Sequence, residues 1–291
     1  MKHEYKKMQD KIEAGLYLVA TPIGNLEDIT LRALRILNCV DKIYCEDTRV
    51  TKKLLNYYQI EKKLFKYNDY SNEDDREIIL QDIINGLSVA ILSDAGTPLI
   101  SDPGYKLVRV LRDRNINITS IPGPSALTSS AVVSGLPTDK IYFIGFLPNN
   151  MTKRKIELEK VKTLNTTVVI FESSKKLSKT LDEIKNIYGN IDITIVRELT
   201  KIFEEVISAK IEEIIKISSE NKIRGEIVVL FNTSQFDYII DYDVVEADIR
   251  KLINDLPLKQ ITNIIHTKHN LPKKKIYDLC LKFKKTIKNI G

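Results

Sequence analysis

Ser93-Asp94-Ala95-Gly96-Thr97-Pro98-Leu99-Ile100-Ser101-Asp102-Pro103-Gly104 follows the run Leu87-Ser88-Val89-Ala90-Ile91-Leu92. That run is short, apolar and β-prone, which predicts a buried strand. After Gly104 the apolar residues of 105–111 recur at helical spacing. The stretch is therefore a strand-to-helix loop. Gly96 and Gly104 let backbone approach a ligand, while Pro98 and Pro103 stiffen the turn. Asp94 leaves the carboxyl end of the strand, the usual ligand crevice of an open α/β sheet. A bare connection needs fewer Gly, Pro and Asp than these twelve residues hold.

Outward from that loop, strand and helix alternate. Residues 16–20 read as a strand that turns at Thr21-Pro22-Ile23-Gly24-Asn25-Leu26 into a helix over 28–37. Residues 40–45 are a second strand, ending in Glu46-Asp47-Thr48-Arg49 before a helix over 50–58. A helix over 73–85 stops at Gly86, another spans 105–114, and a strand covers 116–121. This alternation predicts a mostly parallel sheet covered on both faces. In such a sheet the loops 21–25, 46–49 and 94–101 meet at one crevice. They carry no G-x-x-x-x-G-K-[ST] and no G-x-G-x-x-G, so they are not a phosphate cradle. Loops of Gly, Ala, Pro and a carboxylate suit a nucleoside without phosphates. Glu46, Asp47 and Arg49 place two carboxylates and a guanidinium together. They fit a general base with a phosphate-holding Arg, and equally a helix start capped by Asp47 or Thr48 with an internal ion pair.

Pro122-Gly123-Pro124-Ser125 opens the second half, with Ser125 placed to cap a small-residue helix over 126–133. Strands follow at 141–146, 166–171, 191–196, 204–208 and 226–231, with helices at 152–163, 175–187 and 210–220. Fewer connections here are obligatory crossovers, so this sheet is expected to be mixed. Phe171-Glu172-Ser173-Ser174 and Arg197-Glu198-Leu199-Thr200-Lys201 each leave a strand, and a cofactor clasped between the halves would use both. The last fifty residues read as short helices at 244–254, 258–268 and 273–283, separated by Pro257 and by Asn270-Leu271-Pro272. Their outline resembles a helix-turn-helix module. The expected division is a polar leader at 1–14, α/β domains at 15–122 and 123–240, and a basic helical extension at 241–291.

Composition narrows the class. Hydrophobic residues at 43% and charged residues at 29% are those of a globular protein, and 291 residues suffice for two domains. No apolar run reaches membrane-spanning length, and the first residues lack a signal-peptide core, so the cytoplasm is the expected compartment. Cys39, Cys45 and Cys280 form no C-x-x-C pair, and with three His in all no metal site is expected. Net charge is +6, and residues 242–291, with eleven Lys/Arg against five Asp/Glu, account for all of it. A neutral body with a basic tail predicts a polyanionic partner.

These residues resemble a known family. Leu18 to Leu26, Cys45-Glu46-Asp47-Thr48-Arg49 and Ser93 to Gly104 are similar to motifs of the RsmI group of S-adenosylmethionine-dependent methyltransferases. So are Ile121-Pro122-Gly123-Pro124-Ser125-Ala126-Leu127, Ser134-Gly135-Leu136-Pro137-Thr138, Gly145-Phe146-Leu147-Pro148, Arg197 to Lys201, and Gly225-Glu226. The likeness covers about residues 15–231, in order, and the tail resembles the group's helical extension. It implies a two-domain tetrapyrrole-methylase-like α/β fold with a mostly parallel N-terminal sheet and a mixed C-terminal sheet. It implies a homodimer, and methylation of a cytidine ribose 2′-hydroxyl in small-subunit ribosomal RNA. By motif, S-adenosylmethionine is expected at Asp94, Ala95, Gly96, Ile100, Ser101, Ser125, Ala126, Glu172 and Leu199, with Pro22 and Gly24 lining the cleft. The group usually reads Glu-Ser-Pro-His-Arg-Leu where this chain has Glu172-Ser173-Ser174-Lys175-Lys176-Leu177. It often carries a His within the stretch 67–73, where this chain has none. Neither position therefore holds an indispensable histidine base. Glu46 and Asp47 are the candidate bases, with Arg49 and Lys201 holding phosphate or the developing oxyanion. Two other readings are a tetrapyrrole methyltransferase, which needs a broad apolar trough and no basic tail, and a non-catalytic nucleoside- or RNA-binding protein.

Overall fold

Every residue of β4 (Ser88–Leu92) is buried, as a strand covered on both faces requires. It pairs in parallel with β1 (Gly15–Val19) on one side and β2 (Lys42–Cys45) on the other, so that Ala90 faces Tyr17 and Ile43. β5 (Ile118–Ile121) extends the sheet beyond β1, and β3 (Leu64–Lys66) extends it beyond β2. All five strands are parallel, in the order β3-β2-β4-β1-β5. The computed structural model describes residues 12–68, 70–102, 104–220, 223–235, 242–253, 255–269 and 273–288. Residues 1–11 of the leader, Pro103, the 240/241 boundary and the Asn270-Leu271-Pro272 break lie outside them.

Four helices cover this sheet: α1 (Leu31–Cys39), α2 (Thr48–Tyr57), α3 (Glu73–Ile84) and α4 (Tyr105–Asp113). Ala33, Leu34, Leu37, Leu54 and Leu55 pack on Val19, Ile43 and Leu92 in one core. Ile79, Leu80, Leu107 and Leu111 pack on Leu16, Val89 and Ile91 in the other. Caps fix the helix starts: Thr30 Oγ1 accepts from Ala33 N at 3.1 Å, and Asn72 with Asp75 makes a capping box.

In the second half α5 (Ala126–Val133) is followed by β6 (Ile141–Phe146), α6 (Met151–Val161), β7 (Thr167–Ser173) and α7 (Leu177–Tyr188). Then come β8 (Asp192–Arg197), β9 (Glu205–Lys210), α8 (Ile211–Glu220) and β10 (Glu226–Asn232). The strand order is β6-β7-β10-β8-β9. β6 runs parallel to β7 and every other pairing is antiparallel, so the sheet is mixed. Ser125 occupies the N-cap of α5, but its hydroxyl makes no cap hydrogen bond. That corrects the expected role of the side chain.

The chain divides into two compact units, Met1–Leu158 with Thr166–Asn232, and Glu159–Asn165 with Thr233–Gly291. The second holds α9 (Tyr242–Leu252), α10 (Leu258–His269) and α11 (Lys273–Lys288) around Val245, Ile249, Ile261, Ile265, Ile276 and Cys280. Its buried Asp248 pairs with Lys268 at 2.6 Å, and Lys273, Lys274, Lys275, Lys282 and Lys284 are exposed. Among the described residues no helix is long and apolar enough to cross a membrane.

Candidate active site

Because β2, β4 and β1 are neighbours and parallel, the loops that leave them emerge side by side. Hydrogen bonds then tie the loops together. Thr21 N donates to Gly96 O at 2.9 Å and Gly96 N donates to Thr21 O at 3.0 Å. Asp47 N donates to Asp94 Oδ1 at 3.0 Å, and Thr97 Oγ1 donates to Pro124 O at 3.3 Å. Gly96 needs its glycine: φ is +78° and an added Cβ would lie 3.4 Å from Ile23 Cγ2. Leu99 and Ser101 also sit at positive φ, 74° and 64°. A left-handed conformation costs roughly 1–2 kcal/mol for a residue with a Cβ, so this loop is held in a strained shape by its neighbours.

The loops face the second sheet across a cavity of about 500 Å³. Asp94, Ala95, Gly96, Ile100, Ser101, Ser125, Ala126, Glu172 and Leu199, all expected from the sequence, line it. Glu46 lines it too, as do Phe146, Phe171, Val196 and Val228, which supply apolar wall. Phe171 packs edge-on against Phe146 with ring centroids 5.8 Å apart. Thr97, Asp102 and Ser173 also line the cavity and were not singled out from the sequence. Nor were Phe146 and Gly225-Glu226; for all of these the sequence marks only the stretches that contain them.

Pro22 and Gly24 do not line the cavity. Gly24 instead meets the turn after β8: a Cβ there would lie 2.5 Å from Lys201 Cγ and 2.9 Å from Leu199 O. Its bare backbone lets the first loop close against that turn. Asp47 and Arg49 also stand outside the cavity wall. Asp47 is the N-cap of α2, accepting from Arg49 N at 2.8 Å, and its carboxylate pairs with the Arg49 guanidinium at 2.6 Å. Hydrogen bonds from Arg49 hold the Asp47 carboxyl well below the usual range. Asp94 moves the other way, raised by burial.

Lys201 is held by two carboxylates, Glu198 and Glu226, each at 2.9 Å. Burial works to lower its pKa, and the bonds to Glu226 and Glu198 outweigh burial and raise it. Lys201 therefore stays a cation. Glu198 also accepts from Glu226 N at 2.8 Å, an approach open only because Gly225, at φ +98°, has no Cβ. Glu172 is buried; Thr180 Oγ1 donates to its Oε2 at 2.6 Å and Arg154 Nη2 lies 3.8 Å away.

The lining discriminates between ligands. Glu46, Asp94, Asp102, Glu172 and Glu226 contribute carboxylates, and among the described residues no Lys, Arg or His lines the cavity. Such a wall disfavours phosphates and favours a cation. With an apolar wall and a volume typical of small-molecule sites, the cavity fits S-adenosylmethionine, a sulfonium nucleoside with no phosphate.

The Tetrapyrrole (Corrin/Porphyrin) Methylases family matches residues 15–215. Ribosomal RNA small subunit methyltransferase I of Rickettsia prowazekii is 47% identical over 221 residues, 76% of this chain and 79% of the relative. The protein of that name from Halalkalibacterium halodurans is 44% identical over 226 residues, 78% of each chain. Among solved structures, a cobalamin biosynthetic enzyme, cobalt precorrin-4 methyltransferase, superposes with a TM-score of 0.56 at 17% identity, covering 75% of this chain and 95% of that one. At that identity the superposition speaks to fold alone.

Proposed function

This chain belongs to the Tetrapyrrole (Corrin/Porphyrin) Methylases and, within them, to the ribosomal RNA small subunit methyltransferase I family, and on that premise we propose how it selects and methylates its substrate. It is an S-adenosylmethionine-dependent methyltransferase. Its substrate is small-subunit ribosomal RNA, and the acceptor is a cytidine ribose 2′-hydroxyl. The observation that carries this reading is the acidic cavity with Glu46 in its wall, built by the loops that hold the family motifs. An acceptor hydroxyl at that wall has a carboxylate within its own site, while RNA phosphates are kept out.

Asp94, Ala95, Gly96, Ile100 and Ser101 hold the cofactor from the first sheet, and Ser125, Ala126, Glu172 and Leu199 hold it from the second half. When bound, S-adenosylmethionine supplies an electrophilic methyl group. Glu46 takes the proton that the 2′-oxygen gives up, as a general base. Holding the ribose oxygen in line supplies most of the acceleration. Asp47 fixes the start of α2 beneath Glu46 and presents Arg49, whose side chain is 86% exposed, to a phosphate of the RNA. Lys201, kept cationic by Glu198 and Glu226, sits on the turn that carries Leu199. The 2′-hydroxyl makes RNA and not DNA the substrate.

On this reading the chain divides at 15–122, 123–240 and 241–291, and the protein works in the cytoplasm with the ribosome. It acts as a homodimer, a state supported by the exposed apolar side chains Ile202 and Phe203 and checked by sedimentation.

The test offers methyl-labelled S-adenosylmethionine with small subunits, protein-free RNA and a porphyrinoid. Label is expected in small-subunit RNA, at one cytidine whose 3′ linkage resists alkali. Label on a base, or on the porphyrinoid, would overturn the substrate assignment.

A further inference from the structure

Arg154 is the largest fully buried side chain among the described residues, and it does not line the cavity. A buried guanidinium has to satisfy its donors or destabilise the fold. Asn150 precedes its helix and accepts from Lys153 N at 3.1 Å, and Arg154 lies on the buried face of that first turn. Arg154 Nε donates to Glu183 Oε2 at 2.6 Å and Nη2 donates to Thr180 Oγ1 at 2.6 Å. Nη1 reaches Pro148 O at 3.5 Å. Thr180 passes the orientation on, since its own hydroxyl proton goes to Glu172 Oε2 at 2.6 Å. The other oxygen, Oε1, accepts from Ser173 N at 2.8 Å.

We propose that Arg154 is a positioning residue for the cofactor, acting through Thr180 to fix the Glu172 carboxylate in the cavity wall and through Pro148 to set the segment that carries Phe146. One side chain thereby registers three pieces of the second half: the end of β7, the start of α7 and the chain after β6. The Glu183 pair neutralises the guanidinium. The charge facing Glu172 is therefore partly spent elsewhere, and the link to Glu172 is a directed hydrogen bond through Thr180 more than a bare ion pair. That makes the hydroxyl of Thr180 the group on which the inference turns.

The inference rests on the reading of this cavity as the S-adenosylmethionine site. The experiment measures cofactor affinity by calorimetry and steady-state kinetics on the full chain. Thr180→Val keeps the shape and removes the hydroxyl; Thr180→Ser restores it. Thr180→Val is expected to weaken S-adenosylmethionine binding about tenfold, the effect of one unmade buried hydrogen bond. KM for the cofactor should rise alike while kcat at saturation holds, and Thr180→Ser should stay near wild type. Arg154→Lys, which keeps the charge and loses the fork, should resemble Thr180→Val. A melting temperature that falls in Thr180→Val and Arg154→Lys while affinity stays at wild type would reduce Arg154 to a core ion pair and overturn the proposal. Gly96→Val is the control for the site itself. If it too binds with wild-type affinity, the cavity reading fails. If it alone loses binding, only the Arg154 proposal does.

Discussion

Glu46 and Asp47 are adjacent carboxylates with different surroundings. Glu46 lines the cavity, whereas Asp47 is spent on the start of α2 and on Arg49. Glu46→Gln is therefore expected to lower turnover by roughly 10²-fold, the usual worth of a positioned base, with little change in cofactor affinity. Asp47→Ala should instead lower the melting temperature and leave turnover within a few fold. Single-turnover methylation alongside thermal unfolding separates the two, and equal turnover losses would return the base assignment to both residues. Gly96 poses the steric version of the question. Its positive φ strains any residue with a Cβ, and the branches of a valine would extend from that Cβ, already in contact with Ile23 Cγ2 at 3.4 Å, toward the cavity that Gly96 lines. Gly96→Val should abolish S-adenosylmethionine binding while circular dichroism still reports the folded α/β protein.

The turn after β8 is an element whose stability depends on pH. Bonds from Glu226 N and Lys201 hold the Glu198 carboxyl below its ordinary 4.5. What that carboxylate contributes is present above 4.5 and is lost as pH falls through the lowered value. Lys201, raised above 10.5, contributes below that value and loses its contribution as pH rises through the raised one. The melting-temperature gap between wild type and Glu198→Gln should thus be open at neutral pH and close in acid; a gap that persists in acid would mean the effect is packing. The charges of this turn were legible in the sequence, because Arg197 to Lys201 leave an obvious strand. Its geometry was not, since the positive φ of Glu198 and Thr200 answers to Gly24 and Gly225, both distant in sequence. The same holds more widely. Strands rich in Val and Ile and the parallel-then-mixed order could be read from local pattern, and so could the loops at the carboxyl ends of β1, β2 and β4. β3 could not, because three residues carry no periodicity. Arg154 reads as one cation among the many of 152–163, and only its partners at Thr180 and Glu183 make it a buried residue.

At the scale of the molecule, the charge excess resides in the helical unit. Lys273, Lys274, Lys275, Lys282 and Lys284 are exposed on α11, and Asp278 is the sole acid within that helix. If these lysines meet RNA phosphates, removal of 242–291 should weaken RNA binding and flatten its salt dependence while cofactor affinity holds. Lys273, Lys274 and Lys275 changed to Gln should reduce the single-strand salt slope by about 0.7 for each phosphate that is no longer neutralised. Titrations at several salt concentrations decide it, and an unchanged slope would remove the tail from RNA recognition. The order of the second sheet bears on how the molecule is made. β10, the last of the described strands to leave the ribosome, lies between β7 and β8, paired along its whole length with the first and over Ile227–Phe231 with the second. Until Glu226–Asn232 emerges, β6–β7 and β8–β9 are two-stranded pieces, each marginal alone, with open edges facing each other. The first sheet, complete at Ile121, can fold while the second half waits. A nascent chain halted at Glu220 should accordingly protect residues 15–121 from protease and leave the rest cleavable. On that expectation the protein is made in two stages, and the cavity gains its second wall only in the later one.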